Sequence, residues 1–158
     1  ALPPHERVRR GLGRSFQITN VFSGLTVREN VRLAAQAARE GGFTPVEAYL
    51  RRSDAFDDVN EHTDRVLDRS GLLGRGDEPA DVLAYGDKRR LEMAMCLVQE
   101  PRLLLLDEPT ASLDPASTAS VERLLRSWMQ DRQVACLFTS HDPAQVERLA
   151  SRCLELTR

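Results

Sequence analysis

The run Leu103-Leu104-Leu105-Leu106-Asp107-Glu108-Pro109 joins a short apolar stretch to two adjacent acids. Such a stretch reads as a buried strand that delivers the carboxylates to its C-terminal edge, where ligands sit in parallel α/β sheets. Paired acids held there suit phosphoryl transfer. One can support Mg²⁺ directly or through water, and the other can orient or deprotonate an attacking water. The same two acids would serve equally as ordinary turn or cap residues, so the assignment depends on what accompanies them. Upstream, Leu83-Ala84-Tyr85-Gly86-Asp87-Lys88-Arg89-Arg90 sets a glycine turn before a helix. Exposed amides and the positive end of the helix dipole can receive a phosphate there. Downstream, Ser112-Leu113-Asp114 follows the acids closely, and His141 comes just after the next strand. That position puts His141 at the same sheet edge as Glu108, within reach of a bound phosphate.

The elements that must hold these residues fall into two textures. Residues from about 26 to 80 are charged and helical in pattern. Thr26-Val27-Arg28-Glu29 is a capping box, opening a helix through Val31, Leu33, Ala34 and Ala38 that stops at Gly41-Gly42. Thr44-Pro45-Val46-Glu47 repeats the device with proline in the first helical position. A third helix spans roughly Asp54 to Ser70 and ends at Gly71. From Ala80 onward helix and strand alternate. Lys88 to Gln99 places Leu91, Ala94, Met95 and Val98 on one helical face, and Pro101 ends the pattern. Leu103–Leu106 is predicted to be a central strand, buried on both faces. Asp114-Pro115 caps a helix with Val121, Leu124, Leu125 and Trp128 as its buried stripe. Gln133 to Thr139 reads as a strand, Asp142-Pro143-Ala144-Gln145 as a helix start, and Cys153 to Leu156 as a closing strand. The alternation argues for a parallel α/β sheet.

Composition narrows the function classes. With 158 residues, 41% of them hydrophobic, the chain suits one domain, or a domain carrying a small subdomain, and wholesale disorder is excluded. No apolar run approaches the ~18 residues that cross a bilayer. A formal net charge of −2 gives no electrostatic footprint for nucleic acid, and none is expected as a partner. Cys96, Cys136 and Cys153 form no CxxC and read as small buried hydrophobes in a reducing compartment. The first residues, Ala-Leu-Pro-Pro-His-Glu-Arg, lack the apolar core of a signal peptide.

Taken together, the order and spacing of these motifs resemble the ATP-binding subunit of an ABC transporter. Arg14-Ser15-Phe16-Gln17 is similar to the Q-loop, Leu83 to Asp87 to the family signature, and Leu103 to Glu108 to Walker B. Ser112-Leu113-Asp114 is similar to the D-loop and Ser140-His141-Asp142 to the switch histidine. Leu2-Pro3-Pro4-His5, Phe16-Gln17-Ile18, Leu25-Thr26-Val27, Glu29-Asn30-Val31 and the Tyr85-Gly86-Asp87 form of the signature resemble the branched-chain amino acid uptake group.

The resemblance implies a P-loop NTPase-like parallel sheet with a helical subdomain inserted between Q-loop and signature. Residues 1–19 would end the N-terminal catalytic part, 20–97 would form the helical subdomain with the signature, and 98–158 the C-terminal α/β part. It further implies that Glu108 is the general base, that Asp107 supports Mg²⁺, and that His141 contacts the γ-phosphate. Gln17 would touch Mg²⁺ and water and couple the site to the membrane subunits through the region near Asn20 to Leu25. Ala84, Tyr85, Gly86 and Asp87 would reach ATP held by a second, identical or paralogous subunit, and Asp114 would communicate between the two sites. The implied reaction is ATP hydrolysis driving solute import, on the cytoplasmic face of the inner membrane. Permease subunits would be direct partners and a solute-binding protein an indirect one.

The usual signature serine is Ala84 here, leaving that contact to the amides of Tyr85 and Gly86. The family's phosphate cradle, GxxxxGK[ST], has no match among the 9 glycines, and the single lysine is Lys88. The resemblance places that loop before Ala1. The chain by itself is therefore expected to be an N-terminally truncated portion that neither binds ATP tightly nor hydrolyses it. An open sheet edge and an uncovered apolar face are expected to make it aggregate or fold only in part. Two other readings stay open: a soluble ATPase of the same family acting in DNA repair or translation, and a non-catalytic remnant or interaction module.

Overall fold

The computed structural model describes residues 3, 6–7, 10–14, 21–38, 54–132 and 134–154. Three strands, β1 (Leu12–Arg14), β2 (Leu103–Asp107) and β3 (Ala135–Thr139), form one parallel sheet in the order β1-β2-β3. Leu103 lies in register with Leu12 on one side and with Ala135 on the other. Parallel neighbours need crossover connections, and these carry the helices. α1 (Val27–Ala38), α2 (Asp54–Arg69) and α3 (Tyr85–Leu97) lie between β1 and β2; α4 (Pro115–Arg132) lies between β2 and β3, and α5 (Pro143–Leu149) follows.

The capping box at Thr26 forms as the sequence predicts. The Glu29 amide donates to Thr26 Oγ1 at 3.1 Å, while the Thr26 amide donates to Glu29 Oε2 at 2.8 Å. Those bonds to Thr26, the backbone one foremost, hold the Glu29 carboxyl below the usual carboxylate range. The Gly41-Gly42 stop and the second capping box at Thr44 lie outside the described residues. α2 ends as expected at Gly71, whose φ of +66° suits glycine. The Gly71 amide returns to Asp68 O and the Leu72 amide to Leu67 O, a Schellman motif that satisfies the last carbonyls. A bridge between Thr26 and Pro79, with Ala80 N donating to Leu25 O, ties the start of α1 to the segment that leads into α3.

Helix α3 departs from its sequence pattern in two ways. It begins at Tyr85 rather than Lys88, because the extended Ala84 acts as N-cap and its carbonyl accepts from the Asp87 and Lys88 amides. Gly86 thus lies in the first helical turn, not in a turn ahead of it. The helix is also buried on more than one face: Arg89, Glu92, Met93 and Cys96 are buried along with Leu91 and Ala94, whereas Met95 is only partly covered. Packing against α1, α2, α4 and β1 explains this, since a central helix has no solvent face to spare.

The stripe predicted for α4 is correct, with Val121, Leu124, Leu125 and Trp128 all buried. For β2 the expectation of burial on both faces is overturned. Leu104 and Leu106 join the core, but Leu103 on the other face is 37% exposed, and Leu137 on that side of β3 is 62% exposed. The helices that pack on the sheet belong to a single core cluster with Leu104 and Leu106, which leaves the second face uncovered by described residues. The predicted closing strand also fails in its described part: Cys153 and Leu154 are exposed and outside any strand, and 155–156 lie outside the described residues. The cysteine reading holds for buried Cys96, partly for Cys136, and fails for exposed Cys153. Burial pushes the Cys96 thiol up to about 12 and that of Cys136 to about 11, so neither is poised to react.

Candidate active site at the carboxyl edge of the sheet

Asp107 ends β2 and pairs in register with Thr139 at the end of β3. Thr139 Oγ1 donates to Asp107 Oδ1 at 2.6 Å and accepts the Glu108 amide at 3.1 Å, so one hydroxyl orients both acids. Glu108 has a φ of +48°, in the left-handed region that non-glycine residues rarely adopt. Leaving the strand in this way turns Glu108 toward β3, where its Oε1 lies 2.9 Å from His141 Nε2. The His141 side chain is 94% exposed and that of Glu108 23%, so the pair stands at an open rim. Sequence spacing alone put Asp107, Glu108 and His141 at one edge, and the structure brings them together.

Arg89 was not singled out by the sequence, yet its guanidinium underlies the whole turn. Nε donates to Pro109 O at 3.0 Å, and Nη2 reaches Asp107 O at 3.3 Å and Glu108 O at 3.4 Å. Nη1 donates to Glu92 Oε2 at 2.6 Å, so the buried cation meets a buried carboxylate. Thr139 was also missed. Its only signal was its place at the end of a predicted strand, because register with Asp107 is a tertiary fact.

The start of α3 approaches the same region. Ala84 and Tyr85 are exposed and Gly86 is buried. The Asp87 carboxylate lies between two cations, Arg75 at 2.5 Å and Arg90. The lysine side chain, Lys88, donates to Asp81 O at 2.8 Å. Asp114 works as the N-cap of α4: Oδ1 accepts from the Ala116 and Ser117 amides at 3.0 Å, and Oδ2 accepts from Ser117 Oγ at 2.5 Å. The Ser117 hydroxyl, then its amide, pull the Asp114 carboxyl below its ordinary range. Gln17 lies outside the described residues, as does Asn20.

Among the described residues no three His, Cys, Asp or Glu side chains gather as a metal cage. The donors at this edge are the Asp107 and Glu108 carboxylates, the oxygen type that Mg²⁺ takes one or two at a time while waters and phosphate oxygens complete its shell. No described helix is long and apolar enough to cross a membrane.

A parallel sheet with paired acids at its carboxyl edge and a histidine on the next strand end defines the α/β, P-loop NTPase-like class. Within it, the chain belongs to the ABC transporter family, whose family model matches residues 3–111. The phosphonates import ATP-binding protein PhnC of Chromohalobacter salexigens is 37% identical over 151 residues, covering 95% of this chain and 53% of that protein. The high-affinity branched-chain amino acid transport ATP-binding protein LivG of Salmonella typhimurium is 36% identical over 156 residues, covering 96% and 60%. Among solved structures, CbiO1 from Clostridium perfringens, part of an ABC transporter complex, aligns with a TM-score of 0.68 at 28% identity, covering 87% of this chain and 49% of that one. An ATP-binding cassette in a dimeric post-hydrolysis state with ADP and Pi aligns with a TM-score of 0.73 at 21% identity, covering 93% and 60%, which bears on the fold alone. The chain spans between half and two-thirds of the length of the PhnC and LivG relatives.

Proposed function

We propose that the complete protein is the ATP-binding and ATP-hydrolysing subunit of an ABC importer for branched-chain amino acids or a related small polar solute. The observation that carries the hydrolytic part is the Glu108–His141 contact at 2.9 Å, beside an Asp107 oriented by Thr139. In this reading one Glu108 carboxylate oxygen is held by His141 Nε2, and the other receives the proton of the attacking water. Asp107 and Gln17 would hold Mg²⁺, which when bound would offset charge on the phosphates. His141, at the open rim, would contact the γ-phosphate. Ala84, Tyr85, Gly86 and Asp87, with Asp114 nearby, face ATP on a second such subunit.

The solute rests on similarity to LivG, at 36% identity, and on the Tyr85-Gly86-Asp87 signature. Similarity to PhnC at 37% favours a phosphonate as a second reading. Uptake of labelled leucine and of a labelled phosphonate, in cells with and without the gene, separates the two. On either reading the permease subunits are the membrane anchor, the protein lies peripherally on the cytoplasmic face, and the helical part over 20–97 is the surface that meets them.

Glu108→Gln tests the hydrolytic part in the full-length protein. Turnover falls at least ~10²-fold, as for loss of a general base, while ATP affinity stays nearly unchanged. His141→Ala lowers turnover far more than affinity. Loss of ATP binding in Glu108→Gln would make Glu108 a structural residue and end this reading.

A further inference from the structure

We propose that Arg89 is a positioning residue for the Glu108 carboxylate, acting through its grip on the backbone of residues 107–109. The proposal rests on the hydrolytic reading above and assigns a role to a residue that touches no reacting atom. A guanidinium carries five donors in a fixed planar fork and is costly to bury unless they are satisfied. Arg89, with its side chain only 4% exposed, spends Nη1 on Glu92 and directs Nε and Nη2 at the carbonyls of Asp107, Glu108 and Pro109. An ion pair serving stability alone has no need of three consecutive carbonyls from a distant loop.

Those carbonyls flank the point where the chain leaves β2. Glu108 at φ +48° is held in a sparsely populated conformation, and such strain persists only where the surroundings over-determine it. Three contacts do so here: Thr139 Oγ1 accepts the Glu108 amide from the β3 side, the Ala111 amide donates to Glu108 O within the loop, and Arg89 reaches the carbonyls from the α3 side. Glu92 in turn fixes the fork at 2.6 Å, so the orientation of Arg89 does not depend on the loop it holds. Arg89 also stands one turn beyond Gly86 on α3, so the first turn of that helix and the acids at the end of β2 are braced as one body.

The test uses the full-length protein and three variants: Arg89→Lys, Arg89→Leu, and Arg89→Leu combined with Glu92→Leu. Lysine keeps a charge beside Glu92 but loses the planar fork. The single leucine takes the buried Glu92 carboxylate's Arg89 partner away and destabilises the fold, whereas the paired leucines remove both charges and restore thermal stability. In both Arg89→Lys and the double variant, kcat falls roughly 10²-fold, as expected for a displaced general base, with ATP Kd unchanged. Hydrogen exchange of the Ala111 amide, which bonds Glu108 O at 3.1 Å, speeds up in both. Wild-type kcat in Arg89→Lys, or in a refolding-competent double variant, would make the pair purely structural and overturn the proposal. A parallel fall of kcat and ATP affinity would overturn it as well. Glu108→Gln run alongside separates the two levels: if that variant still hydrolyses ATP, the hydrolytic reading fails rather than the role of Arg89.

Discussion

Gly86 in the first turn of α3 rests directly on Ser117 in the first turn of α4. A methyl group placed on Gly86 would overlap Ser117 Oγ and lie 2.7 Å from its Cβ. That same hydroxyl donates to the Asp114 carboxylate, so the N-cap of one helix depends on the absence of a side chain on the other. The two helix starts, separated by the acidic strand in sequence, form one packed joint beside the candidate site.

Gly86→Ala is therefore expected to destabilise the protein by about 1–3 kcal/mol, the usual cost of overpacking a closed contact. Urea unfolding followed by Trp128 fluorescence measures this, since the chain has a single tryptophan and it is buried in the core. Adding Ser117→Gly should recover a large part of the loss. Additive effects of the two changes would mean that they do not share this contact.

Acid weakens the same joint. The Asp114 carboxyl is held below its ordinary range mainly by the Ser117 hydroxyl, and Glu78 is lowered mainly by Arg75, which also takes Asp87 at 2.5 Å. A carboxyl whose folded pKa is depressed contributes stability above its unfolded value and loses it as pH falls through the folded one. Melting temperature should thus hold at neutral pH and drop below about pH 4, the usual carboxylate region. Asp114→Asn keeps an acceptor for the helix amides without the charge, and should flatten part of that acid limb. An acid limb identical to wild type would show that the cap makes no contribution there.

The second face of the sheet has a consequence for the chain on its own. Leu137 and Leu103 lie on the side that no described helix covers. The 158-residue chain alone is expected to self-associate, and Leu137→Lys to reduce this severalfold in light scattering while leaving secondary structure intact. A sharp thermal transition from strictly monomeric wild-type material would contradict the expectation.

Much of the fold is legible along the chain because its signals are local. The Thr26–Glu29 capping box, the Gly71 terminus of α2, the Asp142 cap of α5 and the apolar stripe of α4 each depend on residues within a turn or two of one another. Strand ends were equally readable, so Asp107, Glu108 and His141 could be put at one edge before any contact was known. The misplaced start of α3 and the one-sided burial of β2 have a different origin. Gly86 reads as a turn residue until Ser117 is seen to occupy the space a side chain would fill, and four leucines read as doubly buried until the covering elements are counted.

The sequence by itself determined the helices from Thr26 onward that the structure describes, the strands β2 and β3, the caps at Thr26, Gly71 and Asp142, and the type and edge of the acidic pair, because propensity, periodicity and capping chemistry act over a few residues. Only the tertiary structure decided that Thr139 orients both acids, that His141 meets Glu108, and that Arg89 holds the carbonyls behind them. Each of those contacts joins residues about 20 to 33 positions apart. Such pairs are set by strand register and helix packing, in which the whole core takes part, and no local pattern records them.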